Sequence, residues 1–351
     1  TPRGRKKPNR TDFTVGIPAA LHLFEDLHFW KRFFGSMGIR TVTSEHYPDA
    51  VKDGRHLAGA ELCAPMTGLF AHVEYLRERC DQIFLPFYLD QRPHEKGLRR
   101  QLCYYTQFAP SVSGGSEGRE GVITPLVYSL YGNLHTKAEL FRALRNVVPG
   151  GVSPFQVSSA FDDAVHGTEE RREGLKRIYQ TESRQGDGFH VVLLGRPYTV
   201  LSEWMNKGIP QTFASKGVRV FYQDMLSYSD EDVAEIAPLL QDVHWHYAAK
   251  ILEAAEITGQ TPGAYPVLLT SFKCSPDSFV TDYLRQILES HRKPYLVLQL
   301  DEHDSRLGYE TRIEASVRAF RNHYSQETRT SDSPLSEPGA GADWGSSRKV
   351  D

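Results

Sequence analysis

From Phe13 to Leu300 the chain alternates short, almost wholly apolar runs with longer stretches in which apolar residues recur every three or four positions. "FTVGIP" reads as a first strand, and Leu23, Leu27, Trp30 and Phe34 follow it at helical spacing; "IRTVTS" and "DQIFLPF" read as the second and third strands. "SVSGGSEGREG", residues 111–121, has the composition of a loop, after which "LVYSLYG" and the pattern from Leu140 to Val147 resume ordered structure. The alternation restarts at "VVLLG", with a helix over 202–215, then "VRVFY", a helix over 244–258, "YPVLLTSF", a helix over 277–290 and "PYLVLQL". Strands separated by helical patterns are the mark of βα units around a mostly parallel sheet. The predicted fold class is α/β, with two Rossmann-like domains. A charged helix over 168–183 followed by "RQGDGFH" marks the boundary. The expected organisation is a disordered basic tail over 1–12, an N-terminal α/β domain over 13–186, a C-terminal α/β domain over 187–325, and a disordered tail or linker over 326–351. No strong internal repeat is visible.

Composition narrows the function classes. A net charge of −3 and a pI of about 6.5 supply no general electrostatic reason to bind nucleic acid. No apolar stretch reaches the roughly 18 residues a membrane helix needs, and "TPRGRKKPNR" has no apolar run of a targeting signal behind it. The expectation is a soluble, cytoplasmic protein. The missing initiating Met and the linker-like end predict a chain cut from something longer, although a processed chain would look the same. Nucleotide motifs are missing too: there is no G-x-x-x-x-G-K-[ST], "LLGRPYTV" lacks the further glycines of a dinucleotide fingerprint, and "SGGSEGREG" reads as a loop.

Four cysteines carry the candidate chemistry: Cys63, Cys80, Cys103 and Cys274. In a reducing compartment such widely spaced residues point to free thiols, metal ligands or catalysis rather than to a disulfide framework. In "AELCAPMTGLFAHVEYLRERC" a helix starts near Pro65 and separates Cys63 from Cys80 by about 25 Å of axial rise. The two cannot share one metal centre. Cys63 precedes a helix N-terminus, where dipole and free N–H groups favour a thiolate. Cys103 in "QLCYYTQFAP" and Cys274 in "SFKCSPDSF" lie in turns after strands, where α/β proteins bind ligands. Cys63 and Cys274 both open a helix as Cys-x-Pro, with Asp277 a first-turn carboxylate in the second. By spacing alone, inert buried cysteines and a shared cluster both remain open.

The segments "VGIPAALHLFEDLHFWKRFFGSMGI", "LCAPMTGLFAH", "CDQIFLPF", "CYYTQFAP", "VLLGRPYTV", "NKGIP", "SFKCSPDS" and "KPYLVLQLDEHDSRLGYETRIEA" add a resemblance. In order from about residue 14 to residue 320, they resemble the acyl-CoA dehydratase activase-related proteins. These are relatives of 2-hydroxyacyl-CoA dehydratase and benzoyl-CoA reductase subunits, and they include domains of very long activases. The resemblance implies that Cys63, Cys103 and Cys274 hold an iron–sulfur cluster in the cleft between the two domains; Cys80 has no matching motif. A [4Fe–4S] cluster normally takes four cysteines, so three leave one iron open and the fourth ligand unassigned. The resemblance also implies a partner, an ATP-hydrolysing activase domain or subunit that delivers low-potential electrons, and acyl-CoA thioesters as the substrate class. With no ATPase motif of its own, the chain reads as the electron-receiving part.

The sequence departs from the family pattern at several positions. Thr67 takes the place of a Lys, Phe70-Ala71-His72 replaces a His-Gly-His, and Lys273 and Ser275 flank Cys274 where glycines are usual. Two other readings stand beside the iron–sulfur one: a non-catalytic scaffold that docks the activase, and a structural zinc site in which His72 completes three cysteines. In "GRPYTV", Arg196 and Tyr198 are placed either to contact an anionic ligand or to brace the domain interface. His244 and His246 in "VHWHY" do not face one another on a helix and are read as structural. "DEHD", residues 301–304, is read as solvated loop or cleft wall.

Overall fold

The apolar run at the start of the chain forms β1 (Thr14–Ile17), the interior strand of a parallel sheet with β2 (Arg40–Thr43), β3 (Gln82–Phe84) and β4 (Val122–Ile123) in the order β2-β1-β3-β4. The structure is a computed structural model and describes residues 12–91, 100–113, 121–128, 133–185, 188–300 and 306–331. A second parallel sheet joins β5 (His190–Gly195), β6 (Arg219–Tyr222), β7 (Ala264–Ser271) and β8 (Leu296–Leu300) in the order β6-β5-β7-β8. Every residue of β5 and β7 is buried, as expected of parallel strands covered by helices on both faces. Both sheets therefore have one topology, second-first-third-fourth, and the α/β class with two Rossmann-like units is the observed one. In each, the connection reverses between the first and third strands. That switch point, β1/β3 in one sheet and β5/β7 in the other, opens a crevice at the carboxyl ends.

The first core is aromatic. Trp30, Phe33, Phe34 and Phe84 are at most 1% exposed and meet edge-on or tilted. Trp30 Nε1 donates to the Tyr88 hydroxyl (2.5 Å), which donates to Asp26. The second sheet carries an apolar cluster on each face. The helix Pro154–Glu182, started by a capping box between Ser153 and Gln156, serves both units: Val157, Ala160 and Phe161 enter the first core, while Leu175 and Tyr179 pack against the second.

Some elements differ from the sequence reading. The expected helix over 202–215 is broken into Glu203–Asn206 and Ile209–Ser215, because Lys207 and Gly208 both take positive φ (52° and 76°). The last helix, Arg306–Ser331, runs past the expected end of order at 325. Its extension is anchored by Glu327, which accepts from the buried Lys293 (2.9 Å), and "SQETRTS" contains no Gly or Pro to stop it. Residues 1–11 and 332–351 of the expected tails, 114–120 of the Gly-rich loop and the "DEHD" segment 301–304 lie outside the described residues. Among the described residues no helix is long and apolar enough to cross a membrane.

The two units meet through buried polar groups. Tyr198 and Tyr247, from the second unit, are part of the first core. The Tyr247 hydroxyl donates to Glu25 Oε2 (2.6 Å), so the 2.5 Å contact with His22 Nδ1 is made by the imidazole N–H. His22 Nε2 lies 3.4 Å from Asp26. Burial works against a charge on His22, but the carboxylates of Asp26 and Glu25 outweigh it and hold its pKa at about 9.

Two outcomes test this architecture. The raised pKa of His22 means that its stabilisation, up to about 3 kcal/mol, is fully present below its unfolded value near 6.5 and is lost as pH rises through about 9. Thermal melts should show His22→Gln well below the wild type at pH 6 and converging with it by about pH 10; a pH-independent difference would contradict a charged, paired imidazole. The helix Ala50–Ala58 approaches the Cys63 helix so closely that a Cβ at Gly54 would lie 2.0 Å from the Thr67 carbonyl. Gly54→Ala should therefore destabilise by about 1–3 kcal/mol in denaturant titrations despite the better helix propensity of alanine.

Candidate functional site

Cys63, Cys103 and Cys274 each occupy the N-cap of a helix, those of Ala64–Arg77, Tyr104–Gln107 and Ser275–Ser290. All three have extended backbone and none uses its side chain as a cap, although Cys103 Sγ stands 3.3 Å from the Thr106 hydroxyl. Pro65 and Pro276 fit the first turns behind two of them, where the missing N–H costs nothing. Cys274 follows β7 at the second switch point, its N–H bonded to the Ser271 carbonyl (3.1 Å). Cys103 belongs to the first unit in sequence, yet the residues before it are stitched to the second. Gln101 N–H donates to the His244 carbonyl (2.7 Å), and Arg100 Nη1 donates to the carbonyls of Leu240 (2.8 Å) and Val243 (2.5 Å).

The three thiols share one electrostatic neighbourhood. Burial pushes the Cys63 thiol up to about 11; a charge on Cys103 adds to this, Arg196 opposes it and Asp277 adds again. Burial, then Asp277, pushes the Cys274 thiol up further, with Arg196 opposing. The fold thus gathers these cysteines around Arg196 and Tyr198 from three separate turns. Cys80 is elsewhere: it lies beyond the far end of the Cys63 helix, its Sγ 3.1 Å from the Leu76 carbonyl and against Gly16 of β1.

Arg196 is 3% exposed and acts as a brace. Its Nε donates to Asp277 Oδ1 (2.8 Å), Nη2 stands 2.8 Å from the same oxygen as an ion-pair contact without hydrogen-bond alignment, and Nη1 donates to the Tyr198 hydroxyl (3.1 Å). The guanidinium carbon is 5.5 Å from the Tyr247 ring centroid. Thr270 donates to the other Asp277 oxygen (3.0 Å). Gly195, at φ 141°, lets β5 end this close to β7, since a Cβ there would lie 2.5 Å from the Leu269 carbonyl.

His72 is fully buried beside Trp204 (ring centroids 4.8 Å apart), with Nδ1 2.8 Å from the Ser44 hydroxyl. Burial lowers its pKa to about 3, so it is neutral and offers no charge to an anion. His244 is exposed while His246 is partly buried, with burial lowering its pKa, in keeping with two unrelated structural roles. Sequence reading passed over Tyr247, although it lies in the "VHWHY" that drew attention to its histidines, and over His22, which looks like a lone histidine on an apolar helix face.

Among the described residues no three His, Cys, Asp or Glu side chains stand close enough together to hold one metal ion. A zinc ion with Zn–S of about 2.3 Å needs its sulfur ligands roughly 3.8 Å apart, and no such grouping is formed by Cys63, Cys103, Cys274 and His72, the set of the alternative zinc reading.

The rim of the site is aromatic. Tyr104 is 69% exposed beside Cys103, while Phe272 and Phe279 flank Cys274, with Phe279 packing against Trp245 (5.8 Å). No curated protein matches the chain. A family model described as the CoA enzyme activase uncharacterised domain matches residues 14–226, well over half of the 351. The match takes in Cys63, His72, Cys103, Arg196 and Tyr198 and ends before Cys274. With the first sheet, β5 and β6 and two of the three N-cap cysteines inside the match, the chain belongs to this CoA enzyme activase domain family.

Proposed function

We propose that this chain is an iron–sulfur protein of the 2-hydroxyacyl-CoA dehydratase type, receiving or relaying low-potential electrons from an ATP-dependent activase for CoA-thioester reduction or dehydration. One observation carries the reading: three cysteines from three separated turns sit at helix N-caps around one buried brace, with their sulfurs unused by the caps. Cys63, Cys103 and Cys274 would hold a [4Fe–4S] cluster. When bound it would supply a one-electron centre with one iron open to a further ligand. The chain's own residues do the rest. The N-cap positions present backbone N–H groups and helix dipoles to thiolate charge. Burial keeps the Cys63 and Cys274 thiols protonated, so binding a metal centre there would be coupled to proton release. Arg196 and Asp277 fix the Cys274 turn as a neutral pair, and the aromatic rim excludes water and offers a surface to the activase partner or to the acyl-CoA substrate. Four free thiols suit a reducing, cytoplasmic setting.

A second reading is a scaffold domain that docks the activase without holding a cluster; the lack of a tight ligand group among the described residues favours it. Anaerobic purification separates the two. The expected protein is brown, bleaches in air and contains nearly equal iron and acid-labile sulfide. A colourless, metal-free protein that still binds an activase would establish the scaffold.

Variants extend the test. Replacing Cys63, Cys103 or Cys274 with Ala should lower iron per folded molecule severalfold, whereas Cys80→Ala should keep the colour and cost only about 1 kcal/mol of stability. Retention of iron in Cys274→Ala would remove it from the ligand set. The purified chain should neither bind ATP tightly nor hydrolyse it, having no phosphate-cradling loop in its sequence; isothermal titration and a phosphate-release assay check this.

A further inference from the structure

The turn leaving β7 carries Lys273, directly before Cys274, at φ 65°. This is the left-handed region that glycine adopts freely and a lysine only with strain. The side chain does what a glycine could not. Lys273 Nζ donates to Glu61 Oε2 at 2.8 Å, and Glu61 stands two residues before Cys63. One ion pair thus joins the segments that lead into two of the three cysteine caps, one from each unit. Other ties between the units are buried or partly buried: Tyr247 to Glu25, Arg100 to the Leu240 and Val243 carbonyls, and Trp204 against Gly68. Lys273 and Glu61 are 39% and 90% exposed, so this pair lies where solvent reaches the seam. An exposed ion pair shifts an equilibrium only by a small factor and is screened by salt. Such a contact is suited to yielding locally while the buried ties keep the units together.

We propose that Lys273 and Glu61 form an ionic clasp over the mouth of the three-cysteine cleft, limiting the size of what reaches Cys63 and Cys274 and opening when the pair is screened or released. The clasp goes beyond the iron–sulfur reading, because it concerns access to the thiols whatever they hold. The test uses the full chain, reduced and freed of metal with a chelator, treated separately with iodoacetamide and with a polyethylene-glycol maleimide. Labelling is followed at each cysteine peptide by mass spectrometry, with Cys80 as the internal reference. Glu61→Gln should speed maleimide labelling of Cys63 and Cys274 about two- to fivefold relative to Cys80, the range open to an exposed pair, and should change iodoacetamide labelling less. High salt should produce the same gain in the wild type and none in the variant. The reversed pair, Glu61→Lys with Lys273→Glu, should restore slow labelling. Equal acceleration of both reagents would mean an electrostatic effect on the thiols alone; that result, an unchanged maleimide rate, or no restoration by the reversed pair would overturn the clasp.

Discussion

Burying ionised side chains between two sheets is costly unless every charge finds a partner, and the seam of this protein meets that demand with one nearly continuous set of contacts. His22 sits between Asp26, Glu25 and the Tyr247 hydroxyl; Lys250 pairs with Asp224 (2.5 Å) and lies 3.9 Å from Glu25; Arg196 pairs with Asp277 over the face of Tyr247. Tyr247 is the shared member, with its hydroxyl serving the first unit and its ring serving Arg196 of the second. Parting the units would strip Glu25 and His22 of the Tyr247 hydroxyl and Glu25 of Lys250. The relative placement of the two switch points follows from this constraint, and with it the placement of cysteines that arrive from both units.

The same constraint shapes the chemistry available to the thiols. Arg196 is the buried cation nearest in effect to Cys63 and Cys274, but Asp277 stands against it, so the neighbourhood carries little net positive charge. Burial then dominates and holds the Cys63 and Cys274 thiols protonated. A site of this kind is poorly suited to a free nucleophilic thiolate, which needs a depressed pKa. It is better suited to ligands whose deprotonation is driven by what they bind. The helix N-caps supply a favourable term, through the Met66 N–H at Cys63 and the Asp277 N–H at Cys274.

Local pattern carried much of the fold. The wholly apolar runs at β5 and β7 were legible because a strand buried on both faces has no polar positions to confuse it. β4, a two-residue strand, has too little pattern to recognise, and the expected helix over 202–215 failed at Lys207–Gly208, where backbone conformation overrides composition. The boundary between units was less legible because the helix Pro154–Glu182 packs on both cores, so no break in pattern marks where one ends.

Residue type and spacing by themselves determined the α/β class, the parallel sheets, the separation of Cys80 from Cys63 by a helix and the positions of Cys63 and Cys274 at helix starts, because these depend on periodicity and on N-terminal geometry within a few residues. Only the tertiary structure decided that Arg196 braces Asp277 rather than waiting for an anion, that His72 is buried and neutral, that His22 meets Tyr247 across 225 positions, and that Lys273 reaches Glu61. Each of these depends on which side chains two separate sheets bring face to face, and charge pairing across such distances leaves no periodic trace in the chain.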